Sequence, residues 1–125
     1  MKRKPIVNVR SWPTGATRDT NDTKLAYNRF LSPEVLTEYC EYLNRHRDTP
    51  AGRREPDNWK GKDRHGLPIS VCFESLARHF WEAWTADEAK QPIPMDSLCA
   101  ILFNCQAIMY EIIHGNYELI KGEKP

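Results

Sequence analysis

The stretch from Leu98 to Ile113 constrains this chain more than any other. Leu98, Ile101, Leu102, Phe103, Cys105, Ile108, Met109, Ile112 and Ile113 leave almost no side of a helix polar. A helix apolar nearly all round belongs at the centre of its domain. Against that background Ser97, Ala100, Asn104, Ala107 and Glu111 recur at helical spacing and trace one narrow stripe of small and polar side chains. A buried amide and a buried carboxylate are costly unless partnered. The stripe therefore calls for a ligand or metal cleft, or else for a hydrogen-bond network with a neighbouring helix. Asn104, Gln106 and Glu111 also interrupt the roughly 18 apolar residues that a membrane span needs, so no crossing is expected. The N-terminus is charged with no apolar segment behind it, so no secretory signal is expected either.

Two more helical patterns precede this one. Ser32-Pro33-Glu34 supplies a hydroxyl cap, a proline at the first helical position and an acid at the positive end of the dipole, and predicts a helix to about His46. Val35, Leu36, Tyr39, Cys40, Tyr42 and Leu43 are its apolar face, with Glu34, Glu38 and Glu41 elsewhere. Those glutamates are either a solvated acidic stripe or, through Glu38 and Glu41, a carboxylate pair suited to a hard divalent cation. The next helix should start near Pro68 to Ser70 and end near Ala86, with a wide apolar face of Cys72, Phe73, Leu76, Ala77, Phe80, Trp81 and Trp84. Its other face carries Glu74, Arg78 and Glu82 with Ser75 and His79 beside them. A surface ion-pair ladder accounts for the first three but not for His79. Asp96 is placed to cap the last helix, which stops at Gly115-Asn116.

The rest reads as irregular. Residues 1–31 form a basic arm with a turn at Trp12-Pro13-Thr14-Gly15 and a turn-favouring Asp19-Thr20-Asn21-Asp22 cluster. Residues 47–67 are loop, longer than two packed helices require. Within it, Asp57-Asn58-Trp59-Lys60-Gly61 could stack on a base and hold phosphate, or Trp59 could simply pack the loop onto the core. The expected architecture is thus one all-α domain over residues 1–125: a small bundle of about three helices with an irregular arm and a long first loop.

The chain has 125 residues, 18 Lys and Arg against 17 Asp and Glu, and a net charge of +1. That length excludes two full domains, and that balance excludes a polybasic coat or membrane anchor. Base is nonetheless concentrated from Lys2 to Arg29 and from Arg45 to Arg64, where an anion could be met locally. Cys40, Cys72, Cys99 and Cys105 have neither Cys-x-x-Cys nor zinc spacing and read as reduced core residues of a cytoplasmic protein. No P-loop or dinucleotide-fold glycine motif is present.

Several short motifs occur in order: Gly15-Ala16-Thr17-Arg18-Asp19 with Lys24, Ser32-Pro33, Asn58-Trp59-Lys60-Gly61, Ser75-x-x-Arg78-His79, and Asp96-x-Leu98-x-Ala100-x-x-x-Asn104 with Glu111. In these the chain resembles the phage and prophage dATP/dGTP diphosphohydrolase family, itself similar to the all-α MazG-like nucleotide pyrophosphohydrolases. It departs from the family at Asn44-Arg45-His46, where family members read Glu-x-Gly-Ala-x-Lys-Tyr, and at Ser97, where a histidine commonly stands. Both departures fall at potential metal ligands.

The resemblance implies cleavage of a purine deoxynucleoside triphosphate to monophosphate and pyrophosphate with Mg²⁺ or Mn²⁺, in a nucleotide-pool role in the cytoplasm of a phage host. It implies Glu38, Glu41 and Asp96 as metal ligands, His79 as ligand or general base, and Glu82 beside it as a further catalytic or metal candidate. Arg18, Lys24, Lys60 and Arg78 would hold phosphates, Trp59 would stack on the purine, and Asn58 or Asn104 would read an edge or sugar hydroxyl. A homo-oligomer is expected, without stable DNA binding. The alternatives are a catalytically silent nucleotide- or nucleic-acid-binding module and a small oligomeric interaction protein.

Overall fold

The computed structural model describes residues 9–19, 24–62 and 66–115. Thr20, Asn21 and Asp22 of the turn cluster, Arg64 of the basic stretch and Asn116 at the expected helix stop lie outside the described residues. The chain forms two units, residues 1–33 and 34–125.

In the first unit, β1 (Val9–Ser11) pairs antiparallel with β2 (Thr17–Asp19), placing Arg10 opposite Arg18. The Trp12-Pro13-Thr14-Gly15 turn closes through Gly15 N–H to the Trp12 carbonyl and Trp12 N–H to the Ala16 carbonyl, with Gly15 at a left-handed φ of +88°. Arg10 Nε donates to the Asp19 carbonyl at 3.1 Å. A single turn, α1 (Tyr27–Phe30), follows.

The second unit contains α2 (Pro33–Arg45), α3 (Ile69–Glu88) and α4 (Met95–Ile113). Between α2 and α3, β3 (Asp48–Thr49) and β4 (Gly52–Arg53) make a minimal hairpin, and Asn58–Lys60 forms one 3₁₀ turn. The three main helices lie where the sequence places them, but the fold is mixed: four helices and two small antiparallel sheets among the described residues, not an all-α bundle. The physical reason is that Pro- and Gly-rich segments unable to form helix still satisfy their backbone groups by pairing across turns. Asp96 lies in the first turn of α4, whose cap position is Pro94. Lys90, at a φ of +55°, closes α3, with the next residue, Gln91, donating to the Ala86 carbonyl at 2.9 Å.

The helix packing inverts the expected apolar faces. α4 buries Ser97, Cys99, Ala100, Asn104, Ala107 and Glu111, and α3 buries only Ile69, Cys72 and Ala83. The small and polar stripe of α4 is therefore its packed face. Asn104 Nδ2 donates to Ser75 Oγ at 3.2 Å and to the Ala100 carbonyl at 2.8 Å, and Ser97 Oγ donates to Glu82 Oε1 at 3.2 Å. Small side chains allow two helices to approach where Phe and Trp would hold them apart. The large residues consequently point outward: Phe73, Phe80, Trp81 and Trp84 on α3, and Leu98, Leu102, Met109 and Ile113 on α4, are exposed in the single chain.

α4 has 19 residues and a mean hydropathy of 1.3 in its most apolar stretch, long and apolar enough to cross a membrane by length and composition. Its interrupting polar residues do not take it out of that range, although the core helix of a soluble protein has the same properties. Of the cysteines, all free, Cys72 and Cys99 are buried, Cys105 is half-buried and Cys40, expected in the core, is exposed.

Candidate functional site

The end of α2 folds back against the loop that follows it. Arg47 N–H donates to the Asn44 carbonyl, Arg54 N–H donates to the Arg47 carbonyl, and Arg47 Nε returns a bond to the Arg54 carbonyl at 2.8 Å. The β3–β4 hairpin that brings the two arginines together is held by Thr49 Oγ1 on the Gly52 carbonyl and by the Asp48–Arg53 ion pair. Further on, the 3₁₀ turn lays Trp59 edge-on against Phe103 and Tyr110 of α4, with ring centroids 5.9 and 5.1 Å apart. Between α2, this loop and α4 opens a cleft of about 410 Å³, the size of a small-molecule site. Tyr42, Trp59 and Phe103 are its aromatic lining; His46, Arg47 and Arg54 are its basic lining; Glu55 and Asn58 are its polar edge.

A second cluster joins the three helices. His79 Nδ1 and Glu82 Oε1 lie 2.8 Å apart, and Ser97 donates to the same oxygen. The His79 hydrogen bond holds the Glu82 carboxyl below its ordinary pKa, so Glu82 is ionised near neutrality and Nδ1 is the donor. In the neutral ring Nε2 is then the acceptor atom, and in the protonated ring both nitrogens donate. Asp96 pairs with Arg45 at 3.0 Å in an exposed, solvent-screened contact. Burial raises the Cys99 thiol, and the Asp96 and Glu38 carboxylates raise it further. Burial likewise pushes the Tyr42 phenol up, with Asp96 adding to it.

Mg²⁺ needs only one or two carboxylates when substrate oxygens and waters complete its shell. A cation at Asp96 would have to displace Arg45. Among the described residues no three His, Cys, Asp or Glu side chains are grouped so as to hold a metal ion by themselves.

The expected site residues therefore separate. Asn58 and Trp59 line the cleft, but the Trp59 ring also packs the loop onto α4, and Lys60 Nζ sits over that indole at 5.5 Å. His79 and Glu82 are joined by their hydrogen bond, Asp96 is paired with Arg45, and Glu38 and Glu41 are exposed on α2. Arg78 is exposed on α3, whereas its neighbours Ser75 and His79 are partly covered. Asn104 is committed to the α3–α4 contact. Arg18 lies on β2 and Lys24 ahead of α1, both in the first unit. Sequence reasoning missed Tyr42, His46, Arg47, Arg54 and Glu55. The signal was the basic run beginning at Arg45, directly after a helix whose last turns pair Tyr42 with His46 at i and i+4, their ring centroids 4.2 Å apart.

No protein-family model, curated protein or solved structure matches the chain. The resemblance to dATP/dGTP diphosphohydrolases stands on the quoted motifs alone, and the functional reading rests on the cleft.

Proposed function

We propose that this chain binds a purine deoxynucleoside triphosphate and hydrolyses it, with Mg²⁺ or Mn²⁺, to the monophosphate and pyrophosphate. The observation that carries the reading is the cleft itself, which joins three basic and three aromatic side chains at the mouth of a loop. Arg47 and Arg54 supply charge-assisted donors for phosphate oxygens, with His46 beside them, and Tyr42, Trp59 and Phe103 supply walls for a base. Glu38 and Asp96 would hold the ion, which when bound polarises the attacked phosphorus and lowers the pKa of water. His79, fixed through Nδ1 on Glu82, presents Nε2 as a proton acceptor. Glu41, Lys60 and Arg78 retain the metal and phosphate roles that the resemblance implies. A nucleotide-pool enzyme of this kind works in the cytoplasm.

Purified protein incubated with Mn²⁺ and a panel of deoxynucleoside triphosphates is expected to release pyrophosphate, and Asp96→Asn or Glu38→Gln to lower the rate at least a hundredfold. Nucleotide-dependent thermal stabilisation without turnover would establish the silent binding module instead. That second reading is favoured by one contact, the Arg45–Asp96 pair, which occupies a proposed ligand.

The outward Phe, Trp, Leu and Met side chains of α3 and α4 expose on the order of 800 Å² of apolar surface, about one partner's share of a standard interface. We assign that surface to a second copy of the chain. Sedimentation of the native protein should give a dimer or larger assembly, and Leu102→Glu should shift it to monomer. A monomeric native protein at high concentration would remove this assignment.

A further inference from the structure

The cleft contains one acidic side chain among its basic ones, and we infer from it that the site selects guanine over adenine. The inference rests on the nucleotide reading above and names the base. Glu55 lines the cleft directly after Arg54, and Asn58 lines it one turn later, with Asn58 N–H donating to the Glu55 carbonyl at 3.1 Å. The two side chains therefore stand on one short turn next to Trp59. Among the described residues, the Glu55 carboxylate has neither an ion pair nor a hydrogen bond, although Arg47 and Arg54 share its cleft.

A carboxylate offers only acceptors. Phosphates repel it, so its place in a phosphate-binding cleft is beside the donor-bearing part of the ligand. The Watson–Crick edge of guanine presents N1–H and the exocyclic N2 amine as two adjacent donors, with O6 as an acceptor beside them. Glu55 matches the two donors with its two oxygens, and the Asn58 amide can donate to O6. Adenine presents an acceptor at N1 between its N6 amine and C2–H, so a carboxylate there would meet a lone pair. Pyrimidines cover less of the aromatic lining formed by Tyr42, Trp59 and Phe103. A site built from charge-assisted hydrogen bonds discriminates strongly against a base that cannot complete them.

The test is calorimetric titration of the full chain, in the presence of Mg²⁺, with the α,β-imido analogues of dGTP, dATP and dITP, which resist cleavage between the α and β phosphates. The expected result is dGTP analogue binding at least tenfold tighter than dATP analogue. The dITP analogue, which lacks the N2 amine, should fall between them. Glu55→Gln should collapse the guanine-to-adenine affinity ratio at least tenfold. Because Glu55 is exposed, the variant should keep the native far-UV circular dichroism and melting temperature. Equal binding of the guanine and adenine analogues by the native chain, or an unchanged ratio in Glu55→Gln, overturns the guanine inference while leaving nucleotide binding in place. Failure of all three analogues to bind overturns the nucleotide reading together with it.

Discussion

Glu111→Ala is expected to lower the unfolding free energy by about 2–4 kcal/mol, read as a shift in the urea midpoint by far-UV circular dichroism. Glu111 is the least exposed residue of the core at 1%. Its Oε1 accepts the Gly66 N–H at 2.8 Å across 45 residues of sequence. Alanine would leave that half-buried amide without its acceptor and open a cavity in the packed face of α4. The bond also holds the end of the long loop. Gly66 lies so close to Trp59 that a Cβ built on it would fall 1.6 Å from the Trp59 carbonyl oxygen, a place only glycine fits. α4 thus grips this loop twice, through Glu111 on Gly66 and through Phe103 and Tyr110 on the Trp59 ring. Glu111→Gln keeps an acceptor of the same shape and should cost about 1 kcal/mol. A loss below that in Glu111→Ala would mean that the loop finds an equivalent anchor elsewhere.

Replacing Arg47 and Arg54 together by alanine is expected to weaken triphosphate binding at least a hundredfold while moving the melting temperature little. Each guanidinium can form charge-assisted bonds worth about 1.5–3 kcal/mol to an anionic ligand, and two such losses exceed the roughly 2.7 kcal/mol of a hundredfold change. The Arg47 side chain's bonds run to exposed partners, the Arg54 carbonyl and Asn44 Oδ1, so little stability is at stake. The double lysine variant separates charge from shape, because an ammonium keeps the field and loses the planar fork. It should bind between the native and alanine proteins. Unaltered affinity in the alanine variant would move the phosphates out of this cleft.

The helices were legible because their signals are local. Ser32-Pro33-Glu34, Pro68 and the proline run before Met95 each mark a start that depends only on neighbouring residues, and α2, α3 and α4 begin within a residue or two of those marks. The two hairpins were not legible, since each of their strands is two or three residues long and too short to show a period of two. The candidate site was legible in part. Asn58 and Trp59 stood out as a motif, whereas Arg47, Arg54 and Glu55 looked like ordinary solvated loop residues until the hairpin folded them against Tyr42 and His46. Asn104 and Glu111 were recognisable as polar groups that need partners. Which partners they take, Ser75 on one helix and Gly66 on a distant loop, has no trace in local spacing.

By itself the sequence determined where the three long helices start and, to within about two residues, where they stop, and that α4 carries one polar stripe through an otherwise apolar surface, because capping and periodicity are properties of adjacent residues. The tertiary structure alone decided that this stripe turns inward and the large apolar side chains outward. Small side chains let α3 and α4 approach closely enough for Ser75 and Asn104 to meet. That choice depends on the shape of two facing surfaces, which no single segment contains.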